Sequence, residues 1–251
     1  MVNIPKSHPR YESLMTRERI VEGVKSGLVS PEGLIAHGRG EAFDYLLGER
    51  TPPAAEEAAR AAAAHLLLAR NPVLSVNGNT AVLVPEELAA LQAAVPAKVE
   101  VNLFHRTEQR VINLSAHLEK HGCRNVLGRG AEPTIPGLEH ERARSTVEGI
   151  FSADVVLVPL EDGDRCQALR NMGKTVIVVD LNPLSRTARS ASVSLTDNVR
   201  RAVPLITKHV LDLKPKGPEA WREVVKAFDH QRNLRDVLRY MADRMDAGAG
   251  L

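Results

Sequence analysis

From Pro72 onward, short apolar runs alternate with amphipathic stretches of helical length, and this alternation restricts the possible folds more than any other feature of the chain. The runs cover residues 73–76, 99–103, 125–127, 155–160, 175–179 and 193–195. Each is brief and tightly bounded, as strands buried on both faces are. Between them, residues 86–94, 107–121, 142–152 and 164–172 read as helices. In the second of these Val111, Leu114 and Leu118 share one face, and Gly122 closes it. Strands separated by helices predict right-handed crossovers and a mostly parallel sheet, so the expected class is α/β with a Rossmann-like core.

The first seventy residues carry a helical signal instead. Leu14, Ile20 and Val24 recur at roughly helical spacing over residues 10–26, with Gly27 as a stop. Ser30-Pro31-Glu32 offers a cap followed by proline at the first helical position. Residues 54–70, rich in Ala, Glu and Arg, form a helix by propensity. Residues 199–211 and 218–244 read as C-terminal helices, with a Gly/Ala tail expected to fray. No repeat or linker interrupts the chain. The expectation is one α/β domain over residues 1–251, comprising a helical layer (1–70), the core (71–212) and a C-terminal helix and tail (213–251).

Bulk properties exclude several function classes. With 33 basic against 31 acidic side chains and only 3% aromatics, the chain lacks both the charge and the stacking platforms expected for nucleic-acid binding. Residues 54–68, the longest apolar-looking stretch, contain Glu56, Glu57, Arg60 and His65 and do not suit a bilayer. Two cysteines, Cys123 and Cys166, argue against a disulfide framework and for a reducing cytoplasm. The nine histidines show no ligand spacing, so no protein-bound metal is expected.

Chemistry concentrates in residues 174–198. The run 175–179 leads into Asp180-Leu181-Asn182-Pro183, a turn. Ser185-Arg186-Thr187-Ala188-Arg189 then supplies two hydroxyls and two guanidinium groups. Residues 191–195 end at Asp197-Asn198, a helix N-cap candidate. Ligands of open α/β sheets sit outside the carboxyl ends of the strands, so this cluster suits a nucleotide or another anion. Asn77-Gly78-Asn79-Thr80 follows the run 73–76 and would form a second wall, unless Asn-Gly makes a hairpin turn there. His37-Gly38-Arg39-Gly40-Glu41 reads as a glycine-bearing turn between two helices, where exposed N–H groups, Arg39 and His37 could close on phosphate. Arg17 reads as a solvated helix face, and Lys6 as part of a basic N-terminus. Gly173-Lys174-Thr175 mimics the end of a P-loop but precedes a strand, and residue 168 is Ala where that loop needs Gly. No G-x-G-x-x-G or G-x-S-x-G occurs. Those absences weigh against a kinase and a dehydrogenase on a related sheet; a non-catalytic nucleotide sensor stays open as a third reading.

Several blocks together resemble archaeal phosphopantothenate synthetase, also called 4-phosphopantoate–β-alanine ligase. They are IPKSHPRYESLMTRERIVEGVKSGLVSPEGLIAHGRGEAFDYLLGE, NPVLSVNGNTAVLVPEEL, VNLFHRTEQRV and VIVVDLNPLSRTAR followed by TDNVRRAVP. The Ala-rich helix after Thr51 and the Arg-rich C-terminus depart from any fixed pattern. The resemblance implies a cytoplasmic Rossmann-type homodimer of coenzyme A biosynthesis that joins 4-phosphopantoate to β-alanine with ATP and Mg²⁺, through an acyl-adenylate. It places nucleotide binding on Arg17, Arg39, Asp180, Leu181, Asn182, Arg186, Thr187, Asn198 and Val199. Asn77, Asn79, Thr80, Lys6 and His37 are candidates for the phosphopantoate pocket, and His37 or His105 for the base that deprotonates β-alanine. Arg39 would grip polyphosphate during catalysis.

Overall fold

The computed structural model describes residues 4–248; the last three residues of the expected tail lie outside them. Five strands form the sheet: β1 (Pro72–Val76), β2 (Lys98–Val101), β3 (Val155–Pro159), β4 (Thr175–Val179) and β5 (Val193–Leu195). All pair in parallel, in the order β2-β1-β3-β4-β5. The helices are α1 (Tyr11–Lys25), α2 (Pro31–Leu47), α3 (Pro53–Leu68), α4 (Gly78–Leu83), α5 (Pro85–Ala94), α6 (Glu108–Lys120), α7 (Gly163–Asn171), α8 (Arg186–Ser190), α9 (Val199–Leu213), α10 (Gly217–Ala227) and α11 (His230–Asp246). Five of the six predicted strands are therefore present, two of them with the expected ends, and the α/β class holds.

Strand alternation divides the core. Leu74, Val76, Val99, Val101, Leu157, Ile177, Val179 and Leu195 face one side, where they pack with α3, α5, α6 and α9. Val73, Val156, Val158, Val176 and Val178 face the other, against Ile150, Cys166 and Leu169. Each such side chain contributes roughly 1.5–3 kcal/mol on full burial. The Ala-rich composition of α3 now has a cause. Ala55, Ala58, Ala59, Ala62 and Ala63 have no exposed surface, and their small side chains let α9 and the sheet approach closely.

Four local expectations are corrected. The run 125–127 is not a strand; it makes a single parallel bridge, Glu100 to Leu127, because Asn125 (φ 51°) and Gly128 (φ 125°) turn the chain on either side. A Cβ on Gly128 would lie 2.6 Å from the Val101 carbonyl oxygen, so glycine is required there. Residues 142–152 are not an α-helix but a 3₁₀ turn (Glu141–Ala143) and a π turn (Val147–Phe151). The carboxylate of Glu100 accepts the backbone N–H groups of Thr146 (2.9 Å) and Ile150 (2.7 Å), holding the segment in another shape. The His37–Glu41 stretch lies inside α2, not in a turn, so its backbone donors are used by the helix; α2 ends instead at Gly48 (φ 79°). Finally, residues 218–244 break at Phe228-Asp229, where Asp229 caps α11 by accepting the Arg232 N–H (2.9 Å).

One consequence for pH arises on α3. Burial pushes the His65 imidazole below its ordinary 6.5, with Arg170 adding to the effect. The unfolded chain therefore binds this proton more readily than the folded chain. Its contribution to stability is complete above 6.5 and is lost as pH falls. His65→Leu is thus expected to lose less stability than the native protein on going from about pH 7.5 to about 5.5. Thermal melts of the two at matched pH check this, and parallel losses would refute it.

Candidate active site

The topology locates the cavity. Chain connections leave β1 toward β2 on one side and return past it to β3 on the other, so the strand order reverses between β1 and β3. A cavity of about 870 Å³ opens there, at the carboxyl ends of β1 to β4, with α2 as one wall.

Asn77 seals the switch point. Its amide donates to the carbonyls of Pro159 (2.9 Å) and Leu160 (3.2 Å), while its oxygen accepts the Thr80 N–H (3.0 Å) and caps α4. The Asn-Gly sequence therefore makes a strand-to-helix turn and not a hairpin. Asn79 also lines the cavity but donates its amide to the Gly33 carbonyl (2.9 Å). The Asn77 amide ties the end of β1 to that of β3, and the Asn79 amide ties α4 to α2.

After β4, the Asp180 carboxylate accepts the Asn182 N–H (2.9 Å) and the Ser185 hydroxyl. Ser185 in turn caps α8 by accepting the Ala188 N–H (2.8 Å). Burial pushes the Asp180 carboxyl up, with Ser185, Asn182 and the charge of Arg39 opposing. Thr187 donates to the Glu161 carbonyl (2.9 Å), and Arg186 pairs with Asp164. A Cβ on Gly163 would meet that of Arg186 at 2.7 Å, so glycine lets the β3 and β4 loops close together.

Below the β3 loop lies a buried ionic chain. Arg165 and Glu161, with no exposed side-chain surface, form an ion pair. Arg142 bonds Glu161 at 3.3 Å and Asp162 at 2.8 Å. Nearby acids draw the Arg142 guanidinium up against its burial, whereas burial prevails for Arg165 and draws it down.

Of the residues expected in the site, Arg39, Asn77, Asn79, Asp180, Leu181, Asn182, Arg186 and Thr187 line the cavity. Arg17, His37, Lys6, Thr80, Asn198 and Val199 do not. Arg17 bonds Glu41 at 2.9 Å, and Asn198 donates to Asp44 at 2.9 Å while capping α9. Glu41 and Asp44 thus gather Arg17 and Asn198 beside α2, one turn apart. His37 faces the same group, and burial pushes its ring below the ordinary range. Lys6 is exposed, whereas Thr80 and Val199 are buried. His105 lines the cavity, 3.5 Å from Glu32. Sequence reasoning missed Arg110, His140, Arg142, Glu161 and Asp162. Arg110 follows the β2 run, so the carboxyl-end rule would have reached it. Arg142 sits in a segment that reads as helix and gave no signal.

A doubly wound parallel sheet, with arginines and hydroxyls ringing a cavity at its switch point, defines an α/β protein equipped to hold anionic ligands. The chain matches the family model described as phosphopantothenate/pantothenate synthetase over residues 54–244. It is 53% identical to the 4-phosphopantoate–β-alanine ligase of Thermococcus kodakarensis over 246 residues, 98% of this chain and 94% of that one. To the ligase of the same name from Methanosarcina mazei it is 47% identical, across 98% of this chain and 96% of the other. For that of Methanospirillum hungatei the values are 51%, 96% and 98%. The chain belongs to the phosphopantothenate/pantothenate synthetase family.

Proposed function

We infer that this chain is the AMP-forming ligase that condenses 4-phosphopantoate with β-alanine, in coenzyme A biosynthesis. The observation that carries this reading is an identity near one half, sustained over nearly the full length of relatives bearing that name. The cavity supports it, because two phosphorylated substrates need several cationic groups around one space.

The acid's carboxylate attacks the α-phosphorus of ATP, giving an acyl-adenylate and diphosphate; the amine of β-alanine then displaces AMP. The first step brings like charges together and the second needs a neutral amine held against the carbonyl, so positioning and electrostatic stabilisation are the protein's main contribution. Arg39 makes no ion pair among the described residues and is assigned to the polyphosphate. Asp180 and Asn182 are assigned to ribose or adenine, and Arg186 and Thr187 to another part of the nucleotide. Arg17, Asn198 and Val199, gathered beside α2 and at the end of β5, are assigned to the same ligand where it extends past the cavity rim. His105, with its ring in the cavity, suits the base that receives the amine proton better than His37.

No group of three or more metal-ligating side chains occurs among the described residues. Mg²⁺ fits as an ion carried on phosphate oxygens with a single protein carboxylate, for which Asp162, partly exposed at the cavity, is suited. Bound there, it would neutralise charge on the polyphosphate. A homodimer and a cytoplasmic setting complete the reading. Both cysteines are unpaired and buried, and no helix among the described residues is long and apolar enough to cross a membrane. Light scattering tests the dimer.

Chromatographic nucleotide analysis with ATP, Mg²⁺, β-alanine and 4-phosphopantoate tests the function. AMP formed only in the complete mixture, matched by phosphopantothenate, is expected. ADP would point to a kinase, and intact ATP to a sensor. Arg39→Ala is expected to raise KM for ATP or lower kcat by about tenfold or more, since charge-assisted phosphate contacts contribute roughly 1.5–3 kcal/mol each. Near-normal kinetics would remove Arg39 from the site.

A further inference from the structure

We propose that His230, at the start of α11, is a positioning residue for the nucleotide: its ring holds α8, and with it Arg186 and Thr187, in place at the cavity. The proposal rests on the ligase reading and adds a role for the C-terminal helices, none of whose residues lines the cavity.

A carbonyl without a backbone partner marks the place. Helix α8 is five residues long, and a helix leaves its last carbonyls unpaired. Beyond it, the Ala191 N–H goes to the Thr187 carbonyl (3.1 Å) and the Ser192 N–H to that of Val176 (2.9 Å). The Ala188 carbonyl therefore has no backbone donor among the described residues. His230 meets it instead, with Nε2 at 2.9 Å. A carbonyl only accepts, so Nε2 carries the proton.

Ala188 is tied to the cavity by its other end. Its N–H donates to Ser185 Oγ (2.8 Å), and the Ser185 hydroxyl donates to Asp180. A continuous chain of hydrogen bonds thus runs from His230 through Ala188 and Ser185 to Asp180, which lines the cavity. Arg186 and Thr187 lie between Ser185 and Ala188, inside this chain, so it fixes the backbone from which both side chains project.

Helix α11 is itself firmly anchored. Asn233, with no exposed surface, donates its amide to the Ala54 carbonyl (2.8 Å). Val237 and Met241 pack with Leu47, Ala54 and Leu181. Leu181 follows Asp180, so α11 backs the β4 loop at two points, by apolar packing at Leu181 and by a hydrogen bond at Ala188. Burial pushes the His230 ring below its ordinary range, against the bond to Ala188, with Arg170 adding to the effect. A neutral ring has one N–H, and Nδ1 is buried without a partner among the described residues. An apolar ring would fill this space without leaving a nitrogen unsatisfied, so what histidine contributes here is the Nε2–H.

Two substitutions in the full chain, each checked by thermal melting, test the proposal. His230→Phe keeps a ring and removes the donor, whereas His230→Gln places an amide N–H near the position of Nε2. For His230→Phe the expected result is a rise of about three- to tenfold in KM for ATP and in its calorimetric Kd, with KM for 4-phosphopantoate and β-alanine within about twofold of native. His230→Gln should return the ATP values to within about twofold of native. Hydrogen exchange should quicken over residues 185–191 in His230→Phe and stay at the native rate elsewhere. Should His230→Phe fail to fold, His230→Leu also lacks the donor and gives the same readout. Unchanged ATP affinity in a folded variant without the donor overturns the proposal, as does a rise shared by all three substrates or one that His230→Gln leaves in place. A native protein that binds ATP but makes no AMP from the complete mixture overturns the ligase reading alone, because the calorimetric comparison needs no turnover and still decides the role of His230.

Discussion

Replacing Glu161 with leucine is expected to destabilise the protein by about 3–5 kcal/mol, a large fraction of the total for a domain. Glu161 sits between two arginines, and neither it nor Arg165 has any exposed side-chain surface. Without this carboxylate, Arg142 still bonds Asp162 at 2.8 Å. Arg165 is left with the Arg142 carbonyl (3.2 Å) and the Ser75 hydroxyl (3.3 Å), neither of which carries charge. Burial already draws that guanidinium down, and once Glu161 is gone the carboxylate left to oppose this is that of Glu100, with which Arg165 forms no ion pair. Two comparisons isolate the cause. Asp162→Ala removes a partly exposed carboxylate from Arg142, the other arginine that Glu161 serves, and should cost about 1 kcal/mol or less. Glu161→Leu combined with Arg165→Met removes both buried charges and should recover most of the loss, since buried pairs are often replaced by apolar residues at little cost. Urea denaturation of the three variants decides it. A Glu161→Leu midpoint close to native would show that the ionic chain has no structural role.

Much of the fold was legible because it is dictated locally. Residues 175–179 form an interior strand and 193–195 the edge strand beside it, and both are buried under helices, so Val176 to Val179, Val193 and Leu195 are apolar. The Asp180 turn was legible for a related reason, since ligand sites of such sheets collect at the carboxyl ends of strands. What failed to read depends on distant partners. Residues 142–152 have helix-compatible composition, yet Glu100 on β2 captures the N–H groups of Thr146 and Ile150 from far along the chain. Arg142 precedes that segment and is held at the cavity by Asn102, Glu161 and Asp162, all distant in sequence, so no local pattern announces it. The glycines of α2 misled in the opposite direction. Gly33 is needed for packing, because a Cβ there would lie 2.4 Å from Asn79 Oδ1, while Gly38 meets nothing and leaves the helix uninterrupted. The close approach to the β1 loop rests on Gly33, while Gly38 and Gly40, which read as a phosphate-binding turn, lie within the helix.

That distant capture yields the second large effect. Gly149→Ala is expected to cost about 3 kcal/mol and to impair turnover with it, because overpacking a filled site costs typically 1–3 kcal/mol and here it also displaces a buried carboxylate. A Cβ at residue 149 would sit 1.9 Å from Glu100 Oε2 and 2.4 Å from the Thr146 hydroxyl, so the backbone or the carboxylate must move. Moving the carboxylate breaks its bonds from Thr146 and Ile150, and Glu100 has no exposed surface on which to find water. Burial already pushes its carboxyl up, so those three donors are what make the charged form tolerable. Moving the backbone instead shifts the segment from which Asn102 holds the Arg142 and Arg144 carbonyls (3.3 and 2.8 Å). A double-mutant cycle separates the clash from a general intolerance of alanine. In a Glu100→Ala background the nearer colliding oxygen is gone and the Thr146 hydroxyl, no longer bonded to Glu100, is free to turn away, so Gly149→Ala should cost less, giving a coupling of roughly 1–3 kcal/mol. Equal costs in both backgrounds would mean that Glu100 does not set the shape of residues 146–150.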